Sequence, residues 1–156
     1  ALAAMTTVPI TTPAVQSLFL SLEQALPATP DFQAFVASHQ TAIAQLAIQY
    51  CDALVSDSTR RSAYFPGFNF GAAPSAAFDT NGRNALLTPL IDHMLSANSA
   101  GGKFVATAPS ATAVSTEVNA LIDKLKASVT ADANGTATIV KASCAAIAGS
   151  SAMLVQ

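Results

Sequence analysis

The chain has 156 residues, enough for one domain with a sizeable core, and its formal net charge is only −2. Apolar residues make up 51% of it and charged residues 10%, against roughly 25% charged residues in a typical soluble domain. Because this weak charge would not attract nucleic acid, and no apolar run approaches the roughly 20 residues of a membrane-spanning helix, we expect neither nucleic-acid binding nor a membrane span. Exposed faces built from Ala, Ser, Thr, Asn and Gln suit a secreted or assembled protein.

Residues 1–11 are predicted to form an extended arm. Pro9 argues against a helix, and the β-branched residues around it favour an extended path. The first residues, A-L-A-A, suit a chain that begins after a processing site. We expect this arm to take part in assembly through the apolar side chains of Val8 and Ile10.

Two helices follow, and each is introduced by a Thr-Pro pair. Thr12 and Pro13 begin a helix that ends before Pro27. Thr29 and Pro30 begin the next one. The connector between them is so short that the two helices must pack together.

The helix over residues 29–56 is predicted to be the central helix of the fold. Asp31 adds a negative charge beside the positive end of its dipole. Apolar residues recur at three- and four-residue spacing and form a stripe on one face: Phe32, Phe35, Val36, Ile43, Leu46, Ala47, Tyr50 and Leu54. A second apolar set broadens the stripe, so neighbours are expected to cover this helix on more than one side: Ala44, Ile48, Cys51 and Val55.

Residues 57–78 are predicted to form a long loop that opens with a short helix at 58–65, because two prolines and two glycines interrupt the segment. Five aromatic side chains lie close together in it, and each would expose a large apolar area in water: Tyr64, Phe65, Phe68, Phe70 and Phe78. These rings are predicted either to cap the core or to form an apolar patch for a small ligand or a partner.

Three further helices are predicted in the second half of the chain. Asp79 starts a helix over residues 80–97, in which Pro89 either produces a kink or begins a fresh helix. Ser110 caps a clearly amphipathic helix. The last helix spans residues 136–148 and stops at a glycine.

Asn134 and Gly135 precede that last helix and are interpreted as a tight turn. Together with Thr136 they also match an acceptor sequence for glycosylation.

Residues 150–156 are predicted to form an extended tail, with Met153, Leu154 and Val155 as its apolar members. Tail and arm share β-propensity and almost no charge. They are expected to pair with each other as a short β-pair or to contact another copy of the chain. A head-to-tail contact between copies would produce a filament.

No residue pattern in the chain has the spacing of a catalytic or metal-binding motif. The two histidines, His39 and His93, belong to no metal-ligand cluster, and His39 is interpreted as a partly buried core or interface residue. Nucleophile motifs and phosphate-binding glycine loops are absent. We therefore expect no catalytic residues, no cofactor, no metal and no enzymatic activity.

The two cysteines, Cys51 and Cys144, each fall on the apolar side of a predicted helix. They either form a disulfide bridge, as an oxidising compartment would allow, or remain two buried thiols.

Three segments carry a resemblance to a known group of proteins: Q-L-A-I-Q-Y-C-D-A-L-V from Gln45, R-N-A-L-L-T-P-L-I-D from Arg83, and V-K-A-S-C-A-A-I-A-G-S-S-A-M-L-V-Q from Val140. In these segments the chain resembles an uncharacterised helical region associated with large secreted bacterial proteins that carry concanavalin-like LamG domains. The resemblance implies an extracellular setting and a bridge between Cys51 and Cys144. It implies no catalytic residues.

These observations predict a single all-α domain over residues 1–156, an irregular bundle of about five helices around a central one. The expected function is that of a secreted or cell-surface structural module that self-assembles into an extracellular bacterial filament or surface assembly. Its expected partners are further copies of itself or a larger surface protein. The alternative is a helical protein that binds a small apolar ligand among the rings of residues 64–78.

Overall fold

The computed structural model describes residues 1–25, 37–96 and 110–150. Within these ranges the protein is all-α and contains no β-strand, as the sequence predicts. Its helices are α1 (Leu2–Thr6), α2 (Pro13–Leu22), α3 (Ala37–Ser56), α4 (Ser58–Tyr64), α5 (Pro74–Ala77), α6 (Thr80–Ile91), α7 (Ala111–Lys126) and α8 (Ala133–Ala148). None of these helices has the length and apolar character needed to cross a membrane.

Several predictions concern residues outside these ranges. They are the beginning of the central helix at residues 29–36, with its Thr29, Pro30 and Asp31, and the three apolar residues of the tail. The tail residues in question are Met153, Leu154 and Val155.

Helices α3 and α8 lie antiparallel at the centre of the bundle. Asp52 of α3 is paired with Lys141 of α8, whereas Ala44, two turns earlier on α3, lies beside Gly149 at the far end of α8. Helices α1, α2 and α4 contact α3, and helices α5, α6 and α7 contact α8. The prediction of a central helix is confirmed for residues 37–56, and α8 shares that central position.

Four helices, α4, α6, α7 and α8, begin where a short polar side chain accepts a hydrogen bond from the first turn, as N-caps do. Asp57 Oδ1 accepts from the backbone N–H groups of Thr59 and Arg60 at 2.9 and 3.0 Å. Ser110 Oγ accepts from the backbone N–H of Ala113 at 3.1 Å, which confirms the predicted cap of α7. These caps fix the helix starts before any long-range packing is considered.

Helix α8 begins three residues earlier than predicted, so Asn134 and Gly135 belong to its first turn. The reason is Asp132, whose Oδ1 accepts from the backbone N–H of Gly135 at 2.9 Å. A Cβ at Gly135 would lie only 1.9 Å from the carbonyl oxygen of Thr130, so this close approach requires glycine. The interpretation of Asn134 and Gly135 as a free-standing turn is therefore wrong.

The same D-x-N-G pattern begins α6. Asp79 Oδ1 accepts from the backbone N–H of Gly82 at 2.7 Å, and a Cβ at Gly82 would lie 1.8 Å from the carbonyl oxygen of Ala77. Helix α6 then runs through Pro89 and continues as a π-helical turn over Asp92–Ser96, so no fresh helix starts at the proline. The N–H of Asp92 donates to the carbonyls of Thr88 and Pro89.

The predicted extended arm at residues 1–11 is wrong over Leu2–Thr6, which form α1. Pro9 lies beyond the end of this helix and only prevents it from continuing. The Thr6 hydroxyl donates to the Leu2 carbonyl, and Thr7 adopts a left-handed conformation with φ 58°, which ends the helix. Val8 then enters the core, where none of it is exposed.

Candidate functional site

The five aromatic side chains of residues 64–78 form one cluster that is part of the core. Tyr64, Phe65, Phe68 and Phe78 are buried, and Phe70 is half-buried. Their rings contact one another, with centroids 4.7 Å apart for Tyr64 and Phe65, 4.8 Å for Phe68 and Phe70, and 5.4 Å for Phe68 and Phe78. Of the two predicted alternatives, burial therefore supports rings that belong to the core over an apolar patch for a ligand or a partner.

Polar contacts fix the outer side of this cluster. The Tyr64 hydroxyl donates to the Met5 carbonyl at 2.7 Å and so ties α1 to α4, and burial raises the pKa of Tyr64. His93 stacks on Tyr64 with ring centroids 4.7 Å apart. The guanidinium of Arg61 lies 5.0 Å from the centroid of the Phe70 ring, within the range of a cation–π contact. One histidine of the chain thus serves as a packing partner of a tyrosine.

Cys51 and Cys144 form a disulfide bridge between α3 and α8. Their Cα atoms are 5.8 Å apart and both residues are fully buried. The bridge confirms the first of the two alternatives for these cysteines, and it excludes the pair of free thiols. It also fastens the two central helices to each other, at a point in the C-terminal half of each.

A groove with a volume of about 600 Å³ runs along the outer face of α8, between α3 and α7. Its floor consists of small residues of α8 and the residue that follows it: Ala142, Ala145, Ala146 and Gly149. Its walls are Ala44 and Ile48 of α3 and the two leucines of α7, Leu121 and Leu125. The fraction of Ile48 that is exposed is 59%, which is high for so large an apolar side chain.

The groove exists because α3 and α7 both pack on α8 at a distance from each other. Small residues at 142, 145, 146 and 149 repeat at helical spacing, so they line one face of α8 and leave the space above it empty. Ile48, which the sequence predicts to be covered by neighbours, is instead exposed at the edge of the groove, and the alanine face of α8 is not among the predicted features. The signal in the sequence that could have predicted the groove is the set of four small residues at helical spacing on α8, together with Ile48 on the polar side of α3.

The polar groups of the groove lie at one end. Lys141 Nζ is 2.6 Å from Asp52 Oδ1, and the two side chains are 34% and 47% exposed. The Thr138 hydroxyl donates to the Asn134 carbonyl and is thus already used. The lining offers one ion pair and a long apolar surface. It can therefore bind an apolar partner mainly through packing, with few hydrogen bonds.

A second polar cluster joins α6 to α7. Arg83 donates to the side-chain oxygen of Asn119 at 2.9 Å, to the Phe78 carbonyl at 3.1 Å, and to the carboxylate of Asp123. The hydrogen bond from Arg83 lowers the pKa of Asp123. This cluster satisfies its own donors and acceptors and holds two helices together.

The remaining predicted site residues are distributed over the molecule. Within the described ranges no three metal-ligating side chains come together. His39 is half-buried near the beginning of α3 and makes an interaction within the molecule. Of the predicted assembly residues, Val8 is in the core, and Ile10 is 44% exposed.

Comparison of the chain with protein-family models, with curated proteins and with solved structures gives no match.

Proposed function

We propose that this chain is a structural module of an extracytoplasmic bacterial assembly, secreted or at the cell surface, and that it works by protein contact through the groove on α8. The single observation that carries this proposal is the groove itself. It is an open apolar surface whose floor is fastened to one of its walls by the Cys51–Cys144 bridge. An open apolar surface on a rigid support is typical of an interaction site.

The proposed compartment rests on the bridge and on the composition. Disulfides persist in oxidising compartments and are rare in the bacterial cytosol. Only 10% of the residues are charged, and a surface so poor in charge suits an environment in which much of it is covered by neighbours. The resemblance to secreted LamG-associated regions points in the same direction and remains part of the proposal.

The groove replaces the arm as the proposed contact surface. Residues 2–6 form a helix tied to α4, and Val8 is buried, so this part of the chain is used within its own subunit. Ile48, by contrast, presents most of its surface to solvent at the edge of the groove. The groove therefore provides the physical support for assembly that the arm was expected to provide.

The test uses a photo-activated cross-linking amino acid at position 48, with the protein produced in its own host and compartment. Leu20 of α2 supplies a matched control, because it is 61% exposed and does not line the groove. We expect a covalent adduct with a protein from position 48 and none from position 20. Cross-linking from neither position, or equally from both, would overturn the proposal.

A small apolar ligand is a second candidate for the same groove. The volume of about 600 Å³ lies within the range of about 300 to 1,000 Å³ that is usual for ligand sites. If this candidate is correct, an organic extract of the natively produced protein contains one apolar compound in stoichiometric amount. The variant Ala146→Trp, which places a large ring on the floor of the groove, should purify without it.

A further inference from the structure

We propose that the groove of α8 binds a second copy of this chain, related to the first by a twofold axis that runs along the seam between α3 and α8. This inference rests on the proposed function, because it names the partner of the same groove. The observation that supports it is that an exposed edge of α3 lies beside the groove on one face, with opposite charges on the two sides of the seam between α3 and α8.

The shape of this face is complementary to itself. The exposed edge of α3, with Ile48 at its crest, lies directly beside a channel whose floor is formed by Ala142, Ala145 and Ala146. A rotation of 180° about the α3–α8 seam places the α3 edge of each copy over the α8 floor of the other. Side chains of one helix then fill the space between helices of the other, as in ordinary helix packing. An interface in which the same patch is used by both copies is the commonest kind in homodimers.

The charges on the face are complementary under the same rotation. Asp52 stands on the α3 side of the seam and Lys141 on the α8 side, 2.6 Å apart. The rotation therefore brings Asp52 of each copy opposite Lys141 of the other, and the two ion pairs can be shared between the subunits. An oppositely charged pair beside an apolar channel favours a partner with the same arrangement over one with a purely apolar or a singly charged surface.

The size of the face predicts a weak dimer. Helix α8 has 16 residues, which corresponds to a length of about 24 Å. With neighbouring helix axes about 9 Å apart, the face formed by α3, α8 and α7 covers on the order of 400 Å² per copy. Stable complexes bury about 800 Å² per partner. Dimers should therefore form only at high protein concentration, or where an assembly holds several copies close together.

The experiment exchanges the charges at the seam. The variant Asp52→Lys carries two cations there and the variant Lys141→Asp two anions, so that like charges face each other in a dimer of either variant. Both side chains are partly exposed, so both variants should fold, which circular dichroism checks. Lys124→Asp is a control for net charge, because Lys124 is an exposed residue of α7 outside the groove lining.

We measure mass by sedimentation and native mass spectrometry over a concentration series that reaches the millimolar range. The wild type and Lys124→Asp should approach twice the monomer mass, and each seam variant alone should remain a monomer. An equimolar mixture of the two seam variants should recover the dimer, as a heterodimer with one copy of each. Recovery in the mixture requires that the two charges meet across the interface.

Each other outcome overturns the inference. A wild type that remains monomeric throughout the series rules out the second copy, and seam variants that dimerise as the wild type does rule out the twofold arrangement. A mixture that stays monomeric also rules out that arrangement. If position 48 cross-links to a different protein, the second copy is wrong while the proposed contact function stands. If position 48 cross-links to nothing, both fail.

Discussion

This protein has two apolar regions, of which one is buried in the core and the other is open to solvent. The aromatic cluster of residues 64–78 is made of large rings that pack on one another and form part of the core. The groove on α8 is made of alanines and a glycine that cannot reach across the space above them. A concentration of large apolar residues in the sequence thus indicates burial, whereas a helical face of small residues leaves a surface that a partner can fill.

The disulfide joins the two central helices, and its removal should have the largest effect. The bridged cysteines are 93 residues apart in sequence, and a loop of that length corresponds to about 4 to 5 kcal/mol on the chain-entropy account. We expect the free energy of unfolding of the variant Cys51→Ala, Cys144→Ala to fall by that amount. Urea unfolding of the wild type with and without reductant, and of the variant, measures it. Superimposable unfolding curves would contradict this prediction.

A matched pair of truncations, one in each apolar region, should have very different effects on stability. Phe65→Ala should lower the free energy of unfolding by about 3 to 5 kcal/mol, because the ring is fully buried and its removal leaves a cavity. Ile48→Ala should change it by less than about 0.5 kcal/mol, because most of Ile48 is in water. Denaturant titrations of both variants at the same protein concentration provide the measurement. Similar losses for the two would show that the groove is part of the core.

The hydrogen bond between the aromatic cluster and α1 should contribute less to the free energy of unfolding than the buried rings do. Tyr64→Phe removes the hydroxyl that donates to the Met5 carbonyl and leaves that carbonyl without its partner. We expect a loss of about 1 to 2 kcal/mol. In hydrogen exchange, amides of α1 should exchange faster than in the wild type while those of α7 keep their rates, which serves as an internal reference. Unchanged protection of α1 would show that the hydroxyl does not hold this helix.

Acid should affect the polar parts of the molecule and spare both apolar regions. Hydrogen bonds from Arg60 N–H to Asp57, from Arg83 to Asp123 and from Thr130 to Asp132 lower the pKa values of these three carboxyl groups. Because the folded state favours their charged forms, the stability they add is present above their ordinary pKa of about 3.9 and is lost as the pH falls from about 4 through the lowered values.

The measurement is the free energy of unfolding between pH 7 and pH 2. The triple variant Asp57→Asn, Asp123→Asn, Asp132→Asn should lose less stability over this range than the wild type. The near-ultraviolet signal of the tyrosines should persist until global unfolding. An equally steep decline in the triple variant would assign the acid sensitivity to other groups.

Helices could be predicted from the sequence where both the capping residue and the apolar pattern were present. Ser110 before an amphipathic run predicted α7, and the apolar positions of Cys51 and Cys144 identified two helix faces that could meet. The sequence was insufficient where one local signal was given too much weight. Pro9 suggested that the whole arm was extended, although a proline restricts only its immediate neighbours.

The groove could not be derived in the same way. Whether a face of alanines is covered depends on how far apart α3 and α7 stand, and this distance is set by packing between residues remote in sequence. The beginning of α8, by contrast, was predictable in principle. Asp79 to Gly82 was correctly interpreted as a helix start, and Asp132 to Gly135 repeats its pattern of D-x-N-G.

The repeated D-x-N-G pattern also bears on the deamidation of the two asparagines that it contains. Asn-Gly is the dipeptide most prone to deamidation, because the glycine nitrogen can attack the asparagine side chain and close a succinimide ring. In the folded chain the N–H groups of Gly82 and Gly135 are held by Asp79 and Asp132, within the first turn of a helix. Because the nitrogen is thereby kept from the position that ring closure needs, we expect the native protein to retain Asn81 and Asn134 and an unfolded copy to accumulate isoaspartate at both.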